Sequence, residues 1–157
     1  MKEDYTTSST DLEQIAKKLK LPLVGVYSKD NLPTRCQVGS YIINLENSDV
    51  GNGTHWTCLK VFPTKEVIYF DSFGLSPPTQ IKDFVKGKIA ISNREIQDID
   101  ATTCGYYCLA ADDYMTHQKQ HRPIYERFDD FLNIFKGDTK KNDEILLDYL
   151  SQMGVKL

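Results

Sequence analysis

The order of apolar patterns predicts one domain of mixed helices and strands. Three observations carry that reading: a run of short apolar strands in the first half, a tight connection that folds two of them into a hairpin, and amphipathic helices at both ends. Ser9-Thr10-Asp11 opens the first helix, with Leu12, Ile15, Ala16 and Leu19 at helical spacing as far as Lys20, and Pro22 stops it. Leu23 to Tyr27 reads as a short buried or extended segment, and the stretch from Ser28 to Gln37 is rich in turn residues. Tyr41 to Leu45 is a strand. The polar loop after it, Glu46 to Thr54, carries Gly51-Asn52-Gly53, flexible enough to approach a ligand.

His55 to Phe62 and Glu66 to Phe70 are the next strands, and Pro63-Thr64-Lys65 between them is short enough to make an antiparallel hairpin. Hairpin geometry alone then sets His55, at the start of one strand, near Asp71, at the end of the other. Pro77-Pro78 precedes a short helix through Phe84, and Lys88 to Ile96 reads as another strand. A helix begins at Cys104 and runs to about Gln118. Two closing helices follow, from Ile124 to Phe135 and from Asn142 to Met153.

Composition limits the function. A chain of 157 residues, 40% hydrophobic and 26% charged, is long enough to bury a real core as one domain. The formal charge of -3 offers no general attraction to nucleic acid, and the Lys17-Lys18-Leu19-Lys20 and Lys140-Lys141 clusters read as solvated helix faces. No apolar run approaches a membrane span, and the charged start does not resemble a signal peptide. Four cysteines without CxxC pairing point to free thiols in a reducing compartment.

The chemistry centres on Cys104. At a helix start its thiol sits beside unpaired backbone N–H groups and the positive end of the helix dipole, both of which favour the nucleophilic thiolate. Gly105 next to it lets a substrate carbonyl approach the backbone. A small buried hydrophobe is the competing role for such a cysteine. His55 and Asp71 taken singly suit a packed histidine and a turn aspartate. Facing each other across a hairpin, they form an oriented general base. Gln97 supplies a neutral amide donor of the kind a developing oxyanion needs, or is simply an exposed polar residue. Trp56, the only tryptophan, either anchors the core or shields the His55 pair from water. His117 and His121, spaced i, i+4, lack acidic or thiolate partners for a metal and read as solvated.

His55-Trp56, then Asp71-Ser72-Phe73-Gly74, then Gln97, then Cys104-Gly105 resembles, in that order, the adenain family of adenovirus-type maturation cysteine proteases. That family belongs to a clan shared with the ubiquitin-like protein proteases. The likeness extends to Asp11 through Leu19, Val24 through Lys29, Ile42-Ile43-Asn44 and Tyr69 through Ser76, covering roughly residues 10 to 120. It implies an α+β fold over residues 1–157, a central mostly antiparallel sheet packed against the Cys-bearing helix. It also implies Cys104 as nucleophile, His55 as general base and then acid, and Asp71 as the orienting carboxylate. Gln97 and the Cys104 N–H would complete the oxyanion hole, and Gly53, Trp56 and Gly105 would contact substrate.

The implied substrates are viral precursor proteins cut at Gly-containing sites, without a cofactor, in the virion or viral factory of an infected cell. A monomer is expected, with no membrane partner. The family's disulfide-linked activating peptide has no matching cysteine between Asp83 and Gln97, so that mode of activation is not expected, and DNA assistance stays open. A compact relative from a virophage, a Polinton-like element or another DNA virus fits best. The rival readings are a deubiquitinase or SUMO-type isopeptidase, and a non-catalytic peptide-binding module on the same scaffold.

Overall fold

A computed structural model of the chain describes residues 4–49 and 55–157. The fold is α+β. Helix α1 (Ser9–Lys18) begins at Ser9, as the sequence pattern suggests, with Ser8 as its cap in a reciprocal capping box: Ser8 Oγ accepts from the Asp11 N–H at 3.1 Å, and Asp11 Oδ2 accepts from the Ser8 N–H at 2.9 Å. It stops short of Lys20, which takes a left-handed turn (φ 57) to bring Pro22 onto the sheet.

Five strands follow in the spatial order of their sequence: β1 (Leu23–Ser28), β2 (Gly39–Asn44), β3 (Trp56–Val61), β4 (Val67–Phe70) and β5 (Ala90–Ile91). The central pairs, β2 with β3 and β3 with β4, are antiparallel, while β1 and β5 add parallel edges. The expected hairpin is β3–β4. Its turn closes through Lys65 N–H to Phe62 O (2.8 Å) and Phe62 N–H to Glu66 O (2.9 Å), with Lys65 left-handed at φ 73. The register sets Cys58 opposite Phe70 and Val61 opposite Val67.

The β2, β3 and β4 residues are buried throughout, because the sheet is covered on both faces. Ile42, Cys58, Ile68 and Phe70 join the larger core with helices α1, α3 (Cys104–His117), α4 (Ile124–Leu132) and α5 (Thr139–Gln152). Tyr41, Ile43, Leu59 and Tyr69 pack a second core with Ile81 of α2 (Thr79–Val85). Helix α3 lies against β3 as the central helix, buried along most of its length.

Three boundaries differ most from the sequence pattern. The strand expected over Lys88 to Ile96 shrinks to two residues. Ser92 Oγ accepts from the Arg94 N–H at 3.1 Å and turns the chain off the sheet, after which Ile96 and Gln97 both donate their N–H to Ser72 O (2.8 and 3.0 Å). Helix α4 ends at Leu132 rather than Phe135. Helix α5 starts at Thr139 rather than Asn142, because Asp138 caps it by accepting from the Lys140 N–H. Among the described residues no helix is long and apolar enough to cross a membrane.

Candidate active site

Four chain segments converge where β3 begins, β4 ends and α3 begins. His55 immediately precedes β3, and Asp71 immediately follows β4. Because the hairpin register carries these two ends to the same edge, His55 Nε2 meets Asp71 Oδ1 at 2.8 Å. Asp71 is buried, and the Phe73 N–H also donates to Oδ1 at 2.8 Å, so the carboxylate is held from two sides. The Phe73 ring stacks on the imidazole, with centroids 4.6 Å apart and planes at 24°. Gly74 (φ 77) completes this turn, where a Cβ would meet the Arg94 backbone at 2.7 Å.

Cys104 is the first residue of α3 and is buried. Its sulfur accepts from the Trp56 N–H at 3.4 Å. Thr103, the residue ahead of the helix, gives no side-chain cap; its hydroxyl instead donates to Asp143 of α5 at 2.9 Å.

Burial alone would push the His55 imidazole toward its neutral form. The Asp71 hydrogen bond, the neighbouring Cys104 sulfur and the charges of both outweigh it, raising the pKa from 6.5 to about 9. Nδ1, the nitrogen not used by Asp71, is buried and makes no aligned hydrogen bond. The other cysteines are electrostatically different: burial pushes the thiols of Cys58 and Cys108 far up and that of Cys36 up to a lesser degree.

Gln97 is buried beside this cluster. Ser72 fixes its amide orientation by donating its hydroxyl to Oε1 at 2.5 Å, and Nε2 donates to Ala101 O at 2.9 Å. Ser72 therefore links the site in a way the sequence pattern did not single out. Its neighbour Asp71 holds the imidazole, while Ser72 itself holds the backbone and side chain of Gln97. The Asp-Ser dipeptide at a strand end was the available signal.

Gly105 has a role other than the expected one. A Cβ there would lie 2.1 Å from Thr7 Oγ1 and 3.1 Å from Leu12 Cδ2, so its bare face is filled by the amino-terminal segment and not open to a substrate carbonyl. Trp56 takes the first of its two candidate roles, that of a core anchor. Its ring is buried in the larger core with Nε1 donating to Thr7 O at 3.1 Å, and it walls one side of an open cavity of about 620 Å³. Thr7 and Asn44 also line this cavity; Thr7 Oγ1, which faces Gly105, and Asn44 Nδ2 are themselves buried and make no hydrogen bond. Gly53, with Gly51 and Asn52, lies outside the described residues. His117 Nε2 bonds with Leu19 O at 3.0 Å and lies 4.0 Å from Asp113 Oδ1.

Fold and site together define an α+β chain with a cysteine, a histidine–aspartate pair and a buried glutamine drawn from separate elements. The same fold recurs in the central domain of the uncharacterized Lpg1148 protein of Legionella pneumophila, with a TM-score of 0.54 and 11% identity over 97% of both chains. Two crystal structures of the ASFV pS273R protease align less fully. One has a TM-score of 0.41 and 23% identity over 57% of this chain, and the other 0.45 and 19% over 73%. This chain spans 41% of the length of each. No family model and no curated protein matches the sequence.

Proposed function

We propose that this chain is a cysteine endopeptidase of the adenain-like kind, cutting viral precursor proteins at Gly-containing sites during particle maturation. The observation that carries this reading is the 2.8 Å contact between His55 and buried Asp71, formed where Cys104 opens α3. Raised to about 9, the imidazole is mainly protonated at neutral pH, the partner a thiolate requires. The thiolate attacks the scissile carbonyl carbon, and the electron pair of the C=O bond moves to oxygen. Gln97 has one amide hydrogen beyond its bond to Ala101, and that hydrogen, with the backbone N–H of Cys104, receives the oxyanion.

As the tetrahedral intermediate collapses, His55 gives its proton to the leaving amine, and an acyl-enzyme remains. His55 then takes a proton from water, whose oxygen attacks the thioester carbonyl and releases the sulfur as thiolate. Asp71 stays ionised throughout and holds the ring. The open cavity beside Trp56, lined also by Tyr27, Ser28 and Asn47, is where we place an extended peptide. The motif order shared with the adenain family supports the viral substrate class and a place in the assembling particle.

The test is turnover of fluorogenic peptides containing Gly next to the scissile bond, alongside ubiquitin- and SUMO-derived fluorogenic substrates. Peptide cleavage that disappears in Cys104→Ala, with iodoacetamide labelling Cys104 well ahead of Cys36, Cys58 and Cys108, is the expected result. Preferential turnover of the folded modifiers overturns the maturation reading in favour of an isopeptidase. Slow, equal labelling of all four thiols overturns catalysis itself.

A further inference from the structure

A second cavity, of about 360 Å³, opens at the opposite ends of β3 and α3 from the catalytic cluster. Its wall is mainly apolar, from Val38, Val61, Phe62, Pro63 and Met115, and Val38 is largely exposed at its mouth. Two cations stand in this wall, Lys60 and Arg127. They differ in one respect.

The Lys60 ammonium is fully engaged. It donates to Asp112 Oδ1 at 2.8 Å, to Ser40 Oγ at 3.0 Å and to Thr116 Oγ1 at 2.8 Å. Arg127 is 8% exposed and, among the described residues, has no carboxylate within ion-pair distance. Nη1 donates to Met115 O at 2.9 Å and the guanidinium lies over the Phe62 ring at 5.8 Å, but Nε is buried with no acceptor. A buried charge without a counter-charge, carrying an unused donor, is costly unless something supplies the missing anion. A guanidinium edge favours a planar carboxylate over a point anion. The apolar remainder of the wall, in a space the size of a small-molecule site, favours a hydrocarbon body attached to it.

We propose that this cavity binds a small organic carboxylate with an apolar body, its carboxylate on Arg127 and its body against Phe62, Val61 and Val38. The ligand is either a free acid or the carboxyl-terminal residue of a peptide, since both present the same chemistry. The site is independent of the proteolytic reading.

The test is calorimetric titration of the full chain carrying Cys104→Ala, so that no cleavage intrudes. The probes are 4-phenylbutyrate and its uncharged amide, and a hexapeptide ending in Phe with a free or an amidated terminus. At least one acid is expected to bind in the submillimolar range, with its amide about tenfold weaker or worse. Arg127→Met should reduce acid binding about tenfold, and Val38→Glu, which places a like charge at the exposed mouth without touching the core, should do the same. Tighter binding by phenylbutyrate assigns a free acid, and tighter binding by the peptide assigns a chain terminus. Equal affinity for acid and amide, binding unchanged by both substitutions, or no acid binding at millimolar concentration overturns the proposal.

Discussion

Replacing Asp71 with asparagine keeps the shape of the side chain and a hydrogen-bond acceptor for His55 but removes the charge. The burial that opposes protonation of His55 stays, so the imidazole should fall from about 9 to its ordinary 6.5 or below. At pH 7.5 that change takes the protonated fraction from about 97% to about 9% or less, a tenfold loss of imidazolium. If imidazolium is what sustains the Cys104 thiolate, alkylation of Cys104 at pH 7.5 slows by about tenfold as well. Proton NMR of the imidazole C–H signals gives the midpoint directly, and mass spectrometry of iodoacetamide labelling from pH 5 to pH 10 gives the thiol reactivity. The stability consequence has a definite sign. His55 is raised in the folded chain, so its contribution is fully present below pH 6.5 and is lost as pH climbs through about 9. That contribution is at most about 3 kcal/mol and should be nearly absent in Asp71→Asn, as read from urea unfolding at the two extremes of pH. A variant whose imidazole still titrates above pH 8, or whose labelling profile matches the parent, refutes this account of the pair.

Three further outcomes follow from the geometry. Ser72→Ala frees the Gln97 amide to rotate, so turnover should fall several-fold with KM unchanged, and stability should drop by about 1 kcal/mol in chemical denaturation. Gly105→Ala drives a methyl into Thr7 and should cost about 1–3 kcal/mol; because Thr7 Oγ1 is the nearest atom, adding Thr7→Ala should restore most of the loss. Lys60→Met leaves Asp112 as an unpaired buried carboxylate and should cost about 3–5 kcal/mol, whereas joint replacement of both partners by apolar residues should be far milder in thermal melting.

What could be read in advance was local or set by pattern. A three-residue connection between two apolar runs brings the strand ends together whatever the rest of the chain does, and His55 and Asp71 were visible as neighbours for that reason. Cys104 at a helix start followed from the polar run ahead of it. Less visible were features that depend on one distant backbone atom. The strand after Lys88 has strand-like composition throughout, yet it leaves the sheet after Ile91, and two hydrogen bonds to the Ser72 carbonyl then anchor Ile96 and Gln97 beside the site. Gly105 looked like an opening because sequence shows a missing side chain but not the Thr7 hydroxyl that occupies its place. The parallel edges β1 and β5 were equally hidden, since partner choice across a sheet depends on crossovers and not on the composition of the strand.

The amino-terminal segment reaches a distant part of the chain, the surroundings of the nucleophile. The Tyr5 N–H bonds to Thr102 Oγ1, 97 residues away, the Tyr5 ring meets Tyr106 edge-on, and Thr7 fills the space over Gly105. Contacts of such sequence separation form only after large loops have closed. A chain lacking this segment therefore lacks a finished thiol environment, so recovery of Cys104 reactivity during refolding serves as a clock for the docking of the amino-terminal segment onto α3. A bulky fusion joined directly ahead of Tyr5 would delay that clock.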